Sequence, residues 1–148
     1  MKASDFYTVP RSEEGVEVPL LGPNNEPTEG RIRIVGQDSK AYRAASAELV
    51  RRNAEIGAME DRDAADILAA GYLLDFQAAL ITGWNFDEEF TPANLREFLT
   101  NAPRIGAQIQ GLCEQVHRFF GPASTNSTPG QPSSDAPGQE TLNLQRSA

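Results

Sequence analysis

Cysteine and histidine are nearly absent, with Cys113 and His117 the only examples. A single thiol excludes an internal disulfide framework and fits a reducing compartment. Two such residues fall short of the three or four ligands a zinc site needs. They stand four apart on one expected helix and so share a face. A Cys–His nucleophile pair would also need a groove and an orienting third group. Cys113, beside Leu112, reads instead as an inert core thiol. Glycine-rich phosphate loops are missing, since neither G-x-x-x-x-G-K nor G-x-G-x-x-G occurs. The D-x-D-x-D-G spacing of a calcium loop is also missing. Asp87, Glu88 and Glu89 adjoin one another and read as solvated rather than proton-sharing. No catalytic residue, metal set or cofactor site is therefore expected.

Positive charge is scarce. Thirteen Lys and Arg against 21 Asp and Glu leave a formal net charge of −8. That balance argues against a nucleic-acid partner, which needs clustered basic residues. Long apolar runs are lacking as well. Residues 67–81 are interrupted by Asp75 and Gln77 and are too short to span a bilayer. The first ten residues have no apolar signal core. No membrane partner is expected.

What remains is 148 residues, enough for one domain plus a tail. The expected fold is mainly α: a small N-terminal β-hairpin, then a bundle of about four helices, then a disordered C-terminal tail. Residues 1–37 read as an extended N-terminal segment carrying the hairpin. Residues 38–121 read as the helical domain. Residues 122–148 are rich in Pro, Ser and Gly, with only Leu142 and Leu144 large and apolar, and read as disordered.

The hairpin strands are residues 16–20 and 31–35, joined by the turn-rich G-P-N-N-E-P-T-E-G. Ile32 and Ile34 alternate with Arg31 and Arg33, so one face is suited to burial. A lone hairpin is marginal in water. It must lie on the helices or pair with a strand of another chain, and Pro19 marks an edge.

Asp38 or Ser39 is placed to cap a helix to about Gly57, with Tyr42, Ala45, Leu49, Asn53 and Ile56 inward. A second helix runs from about residue 61 to Thr82, with Gly83 as its C-terminal turn. It is apolar on more than one side, which suits a central position. Asp66, Asp75 and Gln77 mark its wet stripe. Pro103 opens a last helix reaching Gly121, with Ile105, Ile109, Leu112, Val116 and Phe119 as its seam. Gly106 and Gly111 cost helix propensity there and suit close approach of another backbone.

Residues 80–99 hold the only Trp and three of the seven Phe. Thr91 is placed as N-cap and Pro92 as first helical residue, with Phe90 and Leu95 as a hydrophobic staple. Leu95, Phe98 and Leu99 share a face. Two readings fit: an aromatic knot of a small core, or a partner-binding surface made of Trp84, Phe86, Phe90, Leu95, Phe98 and Leu99, with Trp84 and Phe86 as anchors.

G-Q-D-S-K-A-Y-R, I-T-G-W and F-T-P-A-N-L-R-E-F-L, in this order and spacing, resemble the tail assembly chaperones of long-tailed bacteriophages. The resemblance covers about residues 31–121. It implies a non-enzymatic chaperone that binds and solubilises the tape measure protein while the tail is built. It implies action in the host cytoplasm, self-association in multiple copies, and absence from the mature virion. In many such phages a frameshifted longer form also recruits tail tube protein. Lysine is absent after Lys40, so lysine slip codons are not evident near the end. Two other classes compete: a structural tail component, such as a terminator or connector, which usually has more β-structure, and an acidic DNA mimic. The second fits poorly, because carboxylates alternate with arginines along the helices.

Overall fold

The computed structural model describes residues 1–120. A 3-10 turn at Ala3–Phe6 leads into α1 (Val9–Glu14). Strands β1 (Val16–Leu21) and β2 (Pro27–Ile34) follow, then α2 (Lys40–Gly57) and α3 (Arg62–Ala79). Strand β3 (Ile81–Trp84), α4 (Pro92–Asn101) and α5 (Pro103–Cys113) come next, with a 3-10 turn at Val116–Phe119. The fold is mainly helical with a small sheet at its N-terminal end, as the sequence led one to expect. The expected disorder of residues 122–148 lies outside the described residues.

The hairpin forms and is antiparallel, Val18 facing Ile32 and Val16 facing Ile34. Its further partner is a strand of its own chain. β3 joins β2 antiparallel, Ile32 opposite Trp84 and Ile34 opposite Ile81. The second long helix therefore stops at Ala79 and not at Thr82. Gly83 lies within the strand opposite Arg33 and is not a helix-ending turn. The β-branched and aromatic residues of I-T-G-W suit a pleated surface, and pairing covers one side of β2 that would otherwise lack backbone partners.

One sheet face is dry. Val18, Leu20, Ile32, Ile34 and Ile81 are buried, and they share one core with Phe76, Leu80, Leu95, Leu99 and Ile109. Glu17, Pro19, Arg33 and Thr82 alternate with them and are exposed, as one-sided antiparallel sheets require. Sheet and helices thus bury a single common interior.

The connector from β2 to α2 is where distant segments meet. Val35 N–H donates to Leu80 O at 3.0 Å, Gly36 N–H to Ser12 O at 3.0 Å, and Gln37 N–H to Cys113 O at 3.0 Å. Three successive amides thereby bind the end of α3, α1 and the end of α5. Ser39 then caps α2: its Oγ accepts from Tyr42 N–H at 3.0 Å and donates to Gly36 O at 2.7 Å. The expected Ser39 cap is present, and so is the one at Thr91, whose Oγ1 accepts from Asn94 N–H at 3.1 Å. Asp61 likewise accepts from Ala64 N–H at 3.1 Å.

Several local expectations give way. Residues 1–15 are not extended, because Pro10 in the first turn and the Ser12 contact hold a short helix there. α2 has no fully buried residue, and Asn53 is exposed while Tyr42, Ala45, Leu49 and Ile56 are half-buried. α5 ends at Cys113 rather than Gly121; a 3-10 turn brings Phe119 back into the core.

α3 touches α2, α4 and α5 and is central as expected. Its Asp75 carboxylate receives Arg52 from α2 at 3.0 Å and Arg96 from α4. Gln77, however, is buried and not part of the wet stripe. Its Nε2 donates to Gln110 Oε1 at 3.3 Å. A Cβ on Gly106 would meet Gln77 Oε1 at 2.3 Å. Gly106 does permit close approach, of a side chain rather than a backbone. Nothing lies within 4 Å of such a Cβ at Gly111.

The same substitution should therefore have opposite signs at these two glycines. Gly106→Ala should destabilise by about 1–2 kcal/mol through overpacking. Gly111→Ala should stabilise by about 0.5 kcal/mol through helix propensity. Thr91→Ala should cost about 1 kcal/mol. Urea unfolding followed by circular dichroism reads all three.

Candidate functional site

The acidic elbow between β3 and α4 gathers aromatic rings. Trp84 lies 4.9 Å from Phe86, 5.1 Å from Phe90 and 5.7 Å from Phe98 between ring centroids, and Phe86 lies 5.1 Å from Phe98. Edge-on and tilted pairs at these separations are favourable beyond their buried area. The strand holds Trp84 on the inner side of the sheet, opposite Ile32. Its indole N–H donates to Glu88 O at 2.8 Å, which folds the acidic loop over the ring. Asn85 fixes the adjoining backbone, its N–H donating to Arg31 O at 3.2 Å and its amide to Glu29 O at 2.8 Å.

This knot forms one side of an open groove of about 610 Å³. Phe86 and Phe98 line it. The opposite wall is the far end of the hairpin, with Leu20, Pro23 and Gly30, and the third is the α4–α5 elbow, with Ala102, Arg104 and Ile105. The hairpin and elbow are pinned together by Arg104 Nη1, which donates to Pro23 O at 3.1 Å. Gly30 leaves space on the floor: a Cβ there would stand 3.2 Å from the Phe86 ring. Concave, mainly apolar surfaces with a few polar groups are the usual form of binding sites.

The six aromatic and leucine positions singled out in the sequence divide three ways. Phe86 and Phe98 face the groove. Trp84 is half-buried behind them, and Phe90 is 36% exposed against the Trp84 edge. Leu95 and Leu99 are buried in the core. The structure thus brings the four rings together and turns the two leucines away from solvent. Sequence reading missed the opposite wall. Pro23 of that wall and Arg104 of the elbow, which bond across it, stand 81 positions apart in the chain, beyond any local pattern. The one available signal was a glycine, Gly30, inside a strand run.

Cys113 and His117 do not share a helix face, because α5 ends between them. Cys113 is buried, and His117 is exposed. Burial, helped by the neighbouring Glu114 carboxylate, pushes the Cys113 thiol up to about 12. Burial and Glu114 likewise push the Tyr42 hydroxyl up to about 12. Both groups are held neutral, the opposite of an activated nucleophile. Among the described residues no cluster of His, Cys, Asp and Glu could hold a metal ion, and no helix is long and apolar enough to cross a membrane.

Comparison with known families is decisive here. The family model for phage tail assembly chaperones matches residues 13–112. The chain belongs to the phage tail assembly chaperone family. The matched span runs from the end of α1 into the last turn of α5, and every groove residue falls inside it. Neither curated proteins nor solved structures gave a significant match. As a member of that family the chaperone acts with tail proteins.

The buried thiol makes a test of the interior. A raised thiol pKa favours the folded state below the ordinary value of 9.0, and that contribution is lost as pH climbs toward about 12. Thiol reagent at pH 8 should label Cys113 only after denaturant is added, and thermal stability should fall as pH rises past 9. Rapid labelling of the native chaperone would mean the α5 end opens locally.

Proposed function

We propose that this chaperone binds the tape measure protein and keeps it soluble during tail morphogenesis, without catalysing any reaction. The reading places it in the host cytoplasm, in several copies per client, and outside the mature virion. Contact with tail tube protein through a longer, frameshifted form belongs to the same reading. The observation that carries it is the aromatic-floored groove, built wholly from residues inside the family-matched span. A long helical client exposes repeated apolar faces, and each groove can shield a short stretch of one. The net charge of −8 would keep a many-copy complex from clumping.

Co-expression with the tape measure protein tests this. That protein should reach the soluble fraction only when the chaperone is present. Phe86→Ala should weaken the complex about tenfold, as loss of a central aromatic anchor does, while leaving the circular dichroism spectrum unchanged. Equal recovery with and without the chaperone would overturn the reading. So would stoichiometric chaperone in purified virions, which a structural tail component would show.

A further inference from the structure

The walls of the groove are hydrogen-bonded to themselves. Thr28 Oγ1 donates to Leu20 O at 2.7 Å and accepts from Gly30 N–H at 3.1 Å. Gly22 N–H donates to Glu26 O at 2.8 Å, and Ala102 N–H donates to Phe98 O at 2.9 Å. The sheet edge beside the groove also lacks one of the donors an added strand would need. Arg31 turns both its N–H and its C=O toward the Asn85 side. Antiparallel pairs alternate, so Pro19, opposite Arg31, directs its nitrogen to the open edge of β1. That nitrogen carries no hydrogen, and the register breaks between Pro19 and Leu21.

A guest entering this groove therefore finds apolar side chains and few backbone partners. An extended guest could pair its own N–H and C=O groups only with a few lining side chains, Asn25, Asn101 and Gln108, and would bury the rest unpaired. A helix arrives with those groups already paired. The groove also has one charge. Arg104 is the only ionisable side chain among its lining residues, in a chain of net charge −8. The nearby Glu26 carboxylate is turned to the hairpin tip, where it accepts from Asn24 N–H at 2.9 Å.

We infer that the groove receives a short amphipathic α-helix, with two apolar side chains one turn apart resting on Phe86 and Phe98 and a carboxylate on its flank paired with Arg104. The inference builds on the client-binding reading and adds which client segments are chosen: apolar turns flanked by Asp or Glu. It runs against the global charge, which by itself attracts basic helices.

Two tryptophan-free synthetic helices with the same leucine face test it, one flanked by Glu and one by Lys. A third carries the Glu flank and a central proline. Trp84, the single tryptophan, packs on both groove phenylalanines and reports binding to the full chain by fluorescence. At about 0.15 M salt, where long-range charge is screened, the Glu helix should bind about tenfold tighter than the Lys helix. The proline version should not bind. Arg104→Glu should reverse the order and Arg104→Gln should level it, both with the helix signal and the Trp84 emission of the free chain unchanged, which shows that the groove survives loss of the Arg104–Pro23 bond. Equal or tighter binding of the Lys helix, an order unaffected by Arg104→Glu, binding of the proline version, or no binding by any helix would overturn the inference. Recovery of soluble tape measure protein alongside any of those results would sink this inference alone and leave the proposed function standing.

Discussion

The fold depends on the few residues between the sheet and α2. Val35, Gly36 and Gln37 each give their amide hydrogen to a different, sequence-distant segment. Buried backbone donors must be paired, and here the pairing also sets the architecture. It fixes where α3 ends, how α1 lies across the sheet end, and where α5 terminates. Gly36 is required because a Cβ would stand 2.5 Å from Ser12 Oγ and 3.1 Å from the Ser12 Cα. Once these three bonds are made, β3 follows α3 directly onto β2, and the elbow carrying the aromatic rings is held in place.

The aromatic knot serves two surfaces at once. Behind it Leu95 and Leu99 enter the core, and in front of it Phe86 and Phe98 face the groove. Trp84 packs against both phenylalanines, and its N–H anchors the acidic loop. A floor backed by packed rings keeps its side chains in place. The outer helix surface contributes differently. Asp75 joins α2 and α4 to α3 through two arginines, and Arg52 also lies 4.6 Å from the centre of the Tyr72 ring. These largely exposed pairs add little energy individually.

What could be read from the residues alone was local. The Ser39 and Thr91 caps, the hairpin and its edge proline, the central place of α3 and the inert thiol all follow from chemistry within a few positions. The failures were long-range. I-T-G-W continues the apolar pattern of α3, and nothing within the helix says that β2 needs a further partner. Gln77 is polar and was assigned to water, but Gly106 makes room for it and Gln110 gives it a partner. Half of the groove was visible as an aromatic cluster. The other half, Pro23, Gly30 and Arg104, exists only because the hairpin tip folds onto the α4–α5 elbow.

Gly30 has a consequence for how far the hollow can be altered. It lies outside the buried core, yet the missing side chain there sets the depth of the floor beneath Phe86. A Cβ here would crowd the Phe86 ring at 3.2 Å and touch the buried Leu20 at 3.8 Å, and a larger side chain would have to displace that ring. A side chain at this one position therefore alters the hollow and the rings that back it together.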